Sequence, residues 1–339
     1  MPRPASPLRG PALDASLPIS VSDVRAAAAR IAPYIDTTPT PARRYPALDR
    51  LVGHGISVVV KHEHMLPTGA FKVRNGLSAV TALSPEARAR GIVGASTGNH
   101  GLGLAYAGAQ LGCAVTICVP QGNNPAKNAA IRDLGATLHE EGSTYDDAIL
   151  AAQRLVAERG ATMVHGVNDP AVIAGAGTLT LELLAQDPAI DTLMIAIGGG
   201  SQAVGALAVA NGLGVPLSVI GVASTGAPTQ HDAWHAGERV PPNQPVTTFA
   251  EGIATRATYD LTWPALRDGL SDFVALPDDA IVAGMRALLS VTRQLPEGAA
   301  GAGLAGLLAL APQLAGRRVG VVFCGGNADD AAIRRVIGS

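Results

Sequence analysis

The stretch TLMIAIGGGSQAVGALAVA, residues 192–210, changes character halfway along: an apolar run, three consecutive glycines, then an alanine-rich segment. A short apolar run closed by glycine and followed by helix-forming residues is the strand–turn–helix unit of an α/β protein. The unit recurs along the chain. Apolar or β-branched runs stand at 56–61 (ISVVVK), 91–96 (GIVGAS), 114–120 (AVTICVP), 161–167 (ATMVHGV), 192–198 (TLMIAIG), 217–223 (LSVIGVA) and 318–324 (RVGVVFC), with helical stretches between them. That alternation predicts an α/β architecture of mostly parallel strands buried on both faces, in one sheet or two.

Composition bounds what such a sheet can serve. The chain has 339 residues, 47% hydrophobic and 15% charged, which suits one large or two medium domains with substantial cores. A formal charge of −2 without a basic cluster argues against a nucleic-acid partner. Cys113, Cys118 and Cys324 lack zinc-ligand spacing and form no disulfide framework, so a reducing cytoplasm fits best. The first 22 residues hold several prolines and no apolar core of a signal peptide, and are expected to be a flexible arm. The longest apolar run, GLGLAYAGAQLGCAVTICVP, is divided by glycines and is expected to be a helix followed by a strand, so no membrane partner is expected. Ser22 and Asp23 are candidate N-caps of the first helix, and residues 226–252 are expected to form a long surface connection.

Open α/β sheets bind ligands beyond the carboxyl ends of their strands, so the loops there carry the functional reading. STGNHG (96–101) puts Ser96, Thr97, Gly98 and Asn99 at a helix start, where free amides favour an anion the size of a carboxylate. The triple-glycine loop, Gly198, Gly199 and Gly200 with Ser201, can turn several amides toward one point and so suits a phosphate. It has neither GxGxxG spacing nor the lysine of a P-loop, and a plain strand-to-helix turn is its alternative reading. FCGGNAD (323–329) ends the last strand with Cys324 and two glycines.

Lysine is scarce: Lys61, Lys72 and Lys127 stand against 22 arginines. Lys72 lies in PTGAFKVRNG (67–76) between a tight turn and Arg74, flanked by Phe71 and Val73. Apolar flanks lower a lysine pKa and free a neutral amine, and Arg74 could assist through its charge. Lys61 ends a strand and is expected to be snorkelling or ion-paired; Lys127 is expected to be a solvated helix residue. A phosphate cradle, a carboxylate pocket and a reactive amine together meet the needs of pyridoxal 5′-phosphate with an amino-acid substrate.

In TGAFKVRNG, STGNHG, NDPAVIAGAGT, GGGSQAVG and CGGN, in that order, the chain resembles the fold type II pyridoxal-phosphate enzymes, most closely the threonine and serine dehydratase group, from about residue 24 to 335. The resemblance implies a tryptophan synthase β-like fold with two open, twisted, mostly parallel sheets and flanking helices. It implies a large cofactor-binding domain (23–91 plus 167–339), a small substrate-closing domain (92–166) and a homodimer. Lys72 would form the Schiff base and move protons, with Phe71 beside the cofactor ring and Asn99 on its 3′-oxygen. Amides from Ser96 through His100 would hold the substrate carboxylate; Gly198, Gly199, Gly200 and Ser201 would hold the phosphate, and Cys324 would face the pyridine nitrogen. Glu297 looks like the glutamate of the group's EPAGA block, with Gly298 in place of proline. The group's HPFDD stretch is HGVND here, with Val167 for phenylalanine, and the positions matching a cation site of some relatives are Ala223 and Thr229, so no metal is expected.

The activity so implied is β-elimination from L-threonine, L-serine or a related β-hydroxy amino acid, giving a 2-keto acid and ammonia. Racemisation, with Thr97 as a second base, and β-replacement are alternatives within the fold. A nicotinamide oxidoreductase and a non-catalytic amino-acid sensor are the alternatives outside it. The short tail beyond CGGN leaves no room for a regulatory domain, so no feedback by isoleucine is expected.

Overall fold

The computed structural model describes residues 8–10, 16–241 and 246–338. Its strands are β1 (Ala42–Arg44), β2 (Ser57–His62), β3 (Ile92–Ala95), β4 (Val115–Val119), β5 (Thr137–Glu140), β6 (Thr162–Met163), β7 (Thr192–Ala196), β8 (Ser218–Ser224), β9 (Asp272–Leu276) and β10 (Arg318–Phe323). They form two sheets. One has six strands in the order β1-β2-β10-β7-β8-β9, and the other has four in the order β5-β4-β3-β6. Among the strand pairs of the described residues, only β1–β2 is antiparallel. The expected α/β, two-sheet, mostly parallel architecture is the one observed.

All seven expected strands are present, although that expected at 161–167 shortens to Thr162–Met163. Three strands were not anticipated: β1, β5 and β9, each at a sheet edge. The first helix, Val21–Ile31, is capped by Ser20 rather than by Ser22 or Asp23. Ser20 Oγ accepts the Asp23 amide while the Asp23 carboxylate accepts the Ser20 amide, a reciprocal box that starts the helix two residues early. Of the expected N-terminal arm, residues 1–7 and 11–15 lie outside the described residues. Arg9 is docked: its amide donates to Ser271 O at 2.9 Å and its guanidinium sits 4.4 Å from the Trp234 ring centroid. The expected surface connection at 226–252 contains the helix Thr229–Ala236, anchored by the buried Trp234, so it is partly core.

What positions the site is a row of four helices: Asn99–Leu111, Lys72–Ala82, Pro170–Gln186 and Ser201–Leu213, each packed on the next. Glycines bring their backbones together. A Cβ on Gly76 would stand 2.3 Å from Gly103 O, and one on Gly205 would stand 2.6 Å from Gly177 N. The apolar face of the Lys72 helix (Val73, Leu77, Val80) joins Ile92, Leu104 and Ile117 in the core beneath the four-stranded sheet. No helix of the described residues is long and apolar enough to cross a membrane.

Candidate active site

One cavity of about 620 Å³ lies where three of these helices begin, and it also receives the loop that precedes the fourth. The residues that the resemblance assigns to cofactor and substrate all line it: Phe71, Lys72, Ser96, Thr97, Gly98, Asn99, His100, Gly198, Gly199, Gly200, Ser201, Glu297 and Cys324.

Lys72 is the first residue of its helix, with Nζ 3.4 Å from Gly166 O, 3.5 Å from Ser201 Oγ and 5.1 Å from the Phe71 ring centroid. Burial pushes its pKa down to about 8, against the opposing pull of Cys324 and Glu297. His100 is held neutral by burial and by the nearby Lys72 charge, its pKa falling to about 3. Its Nε2 faces Val164 O at 3.3 Å, and its buried Nδ1 has no partner among the described residues.

The glycine loop is shaped for close approach. A Cβ at Gly199 would meet Val167 Cγ2 at 2.1 Å, and Gly200 takes φ +93° as the N-cap of the Ser201 helix. Thr262 Oγ1 donates to Gly199 O at 2.7 Å. Carbonyl and amide point opposite ways across a trans peptide, so this bond turns the Gly200 N–H away from Thr262. At STGNHG, Ser96 N donates to Cys118 O at 3.1 Å and Gly98 N to Ser96 Oγ at 3.2 Å, so two of the five amides expected to face an anion are already engaged. Ser96 Oγ also accepts Gly101 N at 2.9 Å, which leaves Thr97, Asn99 and His100 to supply the free donors among the described residues.

Cys324, Glu297 and Asn99 meet in the cavity wall. Burial raises the Cys324 thiol well above its ordinary pKa and raises the Glu297 carboxyl, the latter against the hydrogen bonds from Asn99. Cys324 is thus a neutral thiol, its Sγ 4.0 Å from Glu297 Oε1. Asn99 Nδ2 donates to both Glu297 oxygens, at 3.0 and 2.9 Å.

Two placements differ from expectation. Arg74 turns away from Lys72 and pairs with Glu63 and Glu182, because its side chain leaves the helix on the side facing Thr178. Lys127 is no surface lysine: it lines the cavity and ion-pairs with Glu251. Lys61 is ion-paired, as one of its two readings held, and is fully buried beside Glu182. The reading from sequence also missed Tyr145, Tyr259 and Asn327 in the lining; only Asn327 carried a signal, as the last residue of CGGN. Val167 fills the space beside Gly199, and among the described residues no three His, Cys, Asp or Glu side chains are grouped to hold a metal ion.

Comparison with known proteins places this geometry. Residues 35–325 match the family described as pyridoxal-phosphate dependent enzyme. The chain is 37% identical over 240 residues to the L-threonine ammonia-lyase of Geobacter sulfurreducens, an alignment that spans 70% of this chain and 59% of that enzyme. Its structure is similar to a T.th. threonine deaminase (TM-score 0.85, 32% identity, covering 92% of this chain and 99% of that one). It is also similar to maize serine racemase (TM-score 0.88, 28% identity, 94% and 96% covered).

Proposed function

This chain belongs to the pyridoxal-phosphate-dependent enzymes, in the threonine and serine dehydratase group of fold type II, and from that premise we propose that it is an ammonia-lyase acting on a β-hydroxy amino acid such as L-threonine or L-serine. The single observation that carries the proposal is the Lys72 amine, depressed to about 8 and standing 3.5 Å from the serine that opens the glycine loop.

The residues present fit the cofactor. Gly198, Gly199, Gly200 and Ser201 line the same cavity as Lys72 and open the Ser201 helix, whose start offers backbone amides to a phosphate. Lys72 would hold the aldehyde carbon, Gly198 to Ser201 the phosphate, and Cys324 the ring nitrogen. When bound, the cofactor supplies an electron sink for the pair released as a substrate Cα–H bond breaks.

The chain's own groups do the rest. Lys72 accepts the Cα proton, a task for which an amine near pH 8 is suited. The free amides at Thr97, Asn99 and His100 hold the substrate carboxylate, fixing which Cα–H faces the lysine. Neutral Cys324 brings no full negative charge to the ring nitrogen, which favours expulsion of the β-hydroxyl over long-lived charge at Cα. Hydrogen leaves Cα and hydroxide leaves Cβ as water; water returns at Cα and ammonia departs, so the net products are a 2-keto acid and ammonia.

Residues 92–166 would form a small unit closing on the substrate against the rest, and the enzyme would be a cytoplasmic homodimer. The test is a visible absorbance band removed by borohydride, followed by keto-acid formation from L-threonine, L-serine and 3-hydroxyaspartate. A band without keto acid from any of the three sinks the activity, and D-serine formed from L-serine would favour the racemase reading.

A further inference from the structure

Among the described residues Asn327 makes no hydrogen bond to Lys72 or the glycine loop, yet three segments of the site meet on it. Its Nδ2 donates to Thr68 O and to Asn99 Oδ1, each at 2.8 Å. Thr68 O is a backbone carbonyl and only accepts, so the Asn327 atom facing it is the NH₂ group. That nitrogen's second hydrogen faces Asn99, and the Asn99 atom there is consequently its oxygen. The orientation of Asn99 follows, with its NH₂ turned toward the Glu297 carboxylate at 3.0 and 2.9 Å in the cavity wall.

Asn327 is packed closely against the turn at Gly69. A Cβ on Gly69, at φ +70°, would stand 2.5 Å from Asn327 Oδ1, and the neighbouring Gly326 N donates to Gly69 O at 2.9 Å. A side-chain amide with a free choice of faces presents a donor or an acceptor equally well. Here the backbone carbonyl of Thr68 removes that choice at Asn327, and Asn327 on the oxygen side, with Glu297 on the nitrogen side, removes it at Asn99.

We infer that Asn327 is a positioning residue that sets the polarity of Asn99, so that the cavity meets an N–H rather than a carbonyl oxygen and an anionic oxygen of the bound cofactor finds a donor there. The inference rests on the reading of the cavity as a pyridoxal phosphate site. Asn327→Asp keeps the shape but cannot donate to either carbonyl.

Apo protein is titrated with pyridoxal phosphate and followed by tryptophan fluorescence, for wild type, Asn327→Asp, Asn99→Ala and the double variant, with the melting temperature of each measured in parallel. The expected result is that each single variant binds about tenfold more weakly, the worth of roughly one charge-assisted hydrogen bond. The double variant should fall within about twofold of Asn99→Ala, because residues acting through one another are not additive. Wild-type affinity in Asn327→Asp, or losses that multiply in the double variant, would overturn the inference. If Asn327→Asp does not fold, Asn327→Ala is read instead by the side-chain NH₂ resonances of Asn99 in nitrogen–proton spectra of the apo protein. Resonances that stay in place overturn the inference, and displaced ones support it. Cofactor binding by wild type without turnover of any hydroxy amino acid would remove the proposed reaction and leave this inference standing.

Discussion

Replacing Arg74 by methionine should cost stability while leaving the Lys72 amine unchanged. The guanidinium is fully buried and uses all five of its donors: Nε to Glu63 Oε2 at 2.7 Å, Nη2 to Glu63 Oε1 at 3.0 Å and Glu182 Oε2 at 2.8 Å, Nη1 to Glu182 Oε1 at 2.7 Å and Thr178 at 3.1 Å. Lys61, also fully buried, adds a second positive charge against the same two carboxylates, with Nζ 2.9 Å from Glu182. Two cations and two anions therefore balance inside the protein. Methionine leaves Glu63 with only the Thr40 hydroxyl, at 2.6 Å, and the interior with one uncompensated negative charge. Stranding a buried charge in this way costs about 3–5 kcal/mol, a large share of a total stability of about 5–15 kcal/mol. A second change, Glu63→Gln, removes the stranded charge and should return most of the loss.

The assay is urea unfolding of the apo protein followed by circular dichroism, with the free energy extrapolated to water. Arg74 is absent from the groups that perturb Lys72, so the Lys72 pKa should stay near 8 in the variant. Arg74→Met within about 1 kcal/mol of wild type, or no recovery on adding Glu63→Gln, would refute the charge-balance reasoning. A displaced Lys72 pKa would instead restore the expectation, drawn from sequence, that Arg74 assists the amine.

In the apo protein, Lys72 should be acylated with a midpoint near pH 8, because burial lowers its pKa to about 8 and the neutral amine is the nucleophile; peptide mapping separates it from Lys61 and Lys127, and a midpoint above about 10 contradicts the site's electrostatics. The sign for stability follows: with the folded pKa below the unfolded one, the unfolded chain holds more protons between about pH 8 and 10.4, so this group's contribution improves as pH rises through that window. Gly199→Ala should weaken pyridoxal phosphate binding by about tenfold or more, since its Cβ would stand 2.1 Å from Val167 Cγ2 and overpacking costs about 1–3 kcal/mol; undiminished affinity in a fluorescence titration counts against the cradle. Lys127→Gln and Glu251→Gln should each change KM a few-fold and kcat by less than about twofold, because a pair with side-chain exposures of 15% and 47% is worth at most about 1 kcal/mol. A far larger fall in kcat for Lys127→Gln would put that lysine on the reacting atoms.

The central strands and the glycine loops were legible in the sequence for one physical reason: a strand buried on both faces must be continuously apolar, and a backbone approached closely must be glycine. Edge strands obey neither condition. Ala42–Arg44 and Thr137–Glu140 carry intermediate and exposed residues throughout, so nothing marks them as strands until a neighbour pairs with them. The same division runs through the site. Lys72, Gly199 and Cys324 announce themselves locally, whereas Lys127 and Asn327 acquire their places from partners 124 and 228 residues away. A lysine in PAKNAAIRD has the composition of a solvated helix, and only the fold brings Glu251 across the cavity to meet it.

The contacts between the helices show why the lysine has so little freedom of position. The Lys72 helix is held on one side by Gly103, where an added Cβ would come within 2.4 Å of Lys72 O itself. On the other side Gly175 brings the next helix to the same distance class, 2.5 Å from Arg74 O. Two backbones thus touch the first turn of the helix directly, with no side chain to act as a compressible spacer, while the Arg74 charge cluster fixes its rotation from below. Catalytic amines need their nitrogen within a fraction of an ångström of the reacting carbon. In this chain that precision comes from glycine contacts and a buried ion cluster, both outside the residues that would touch substrate or cofactor.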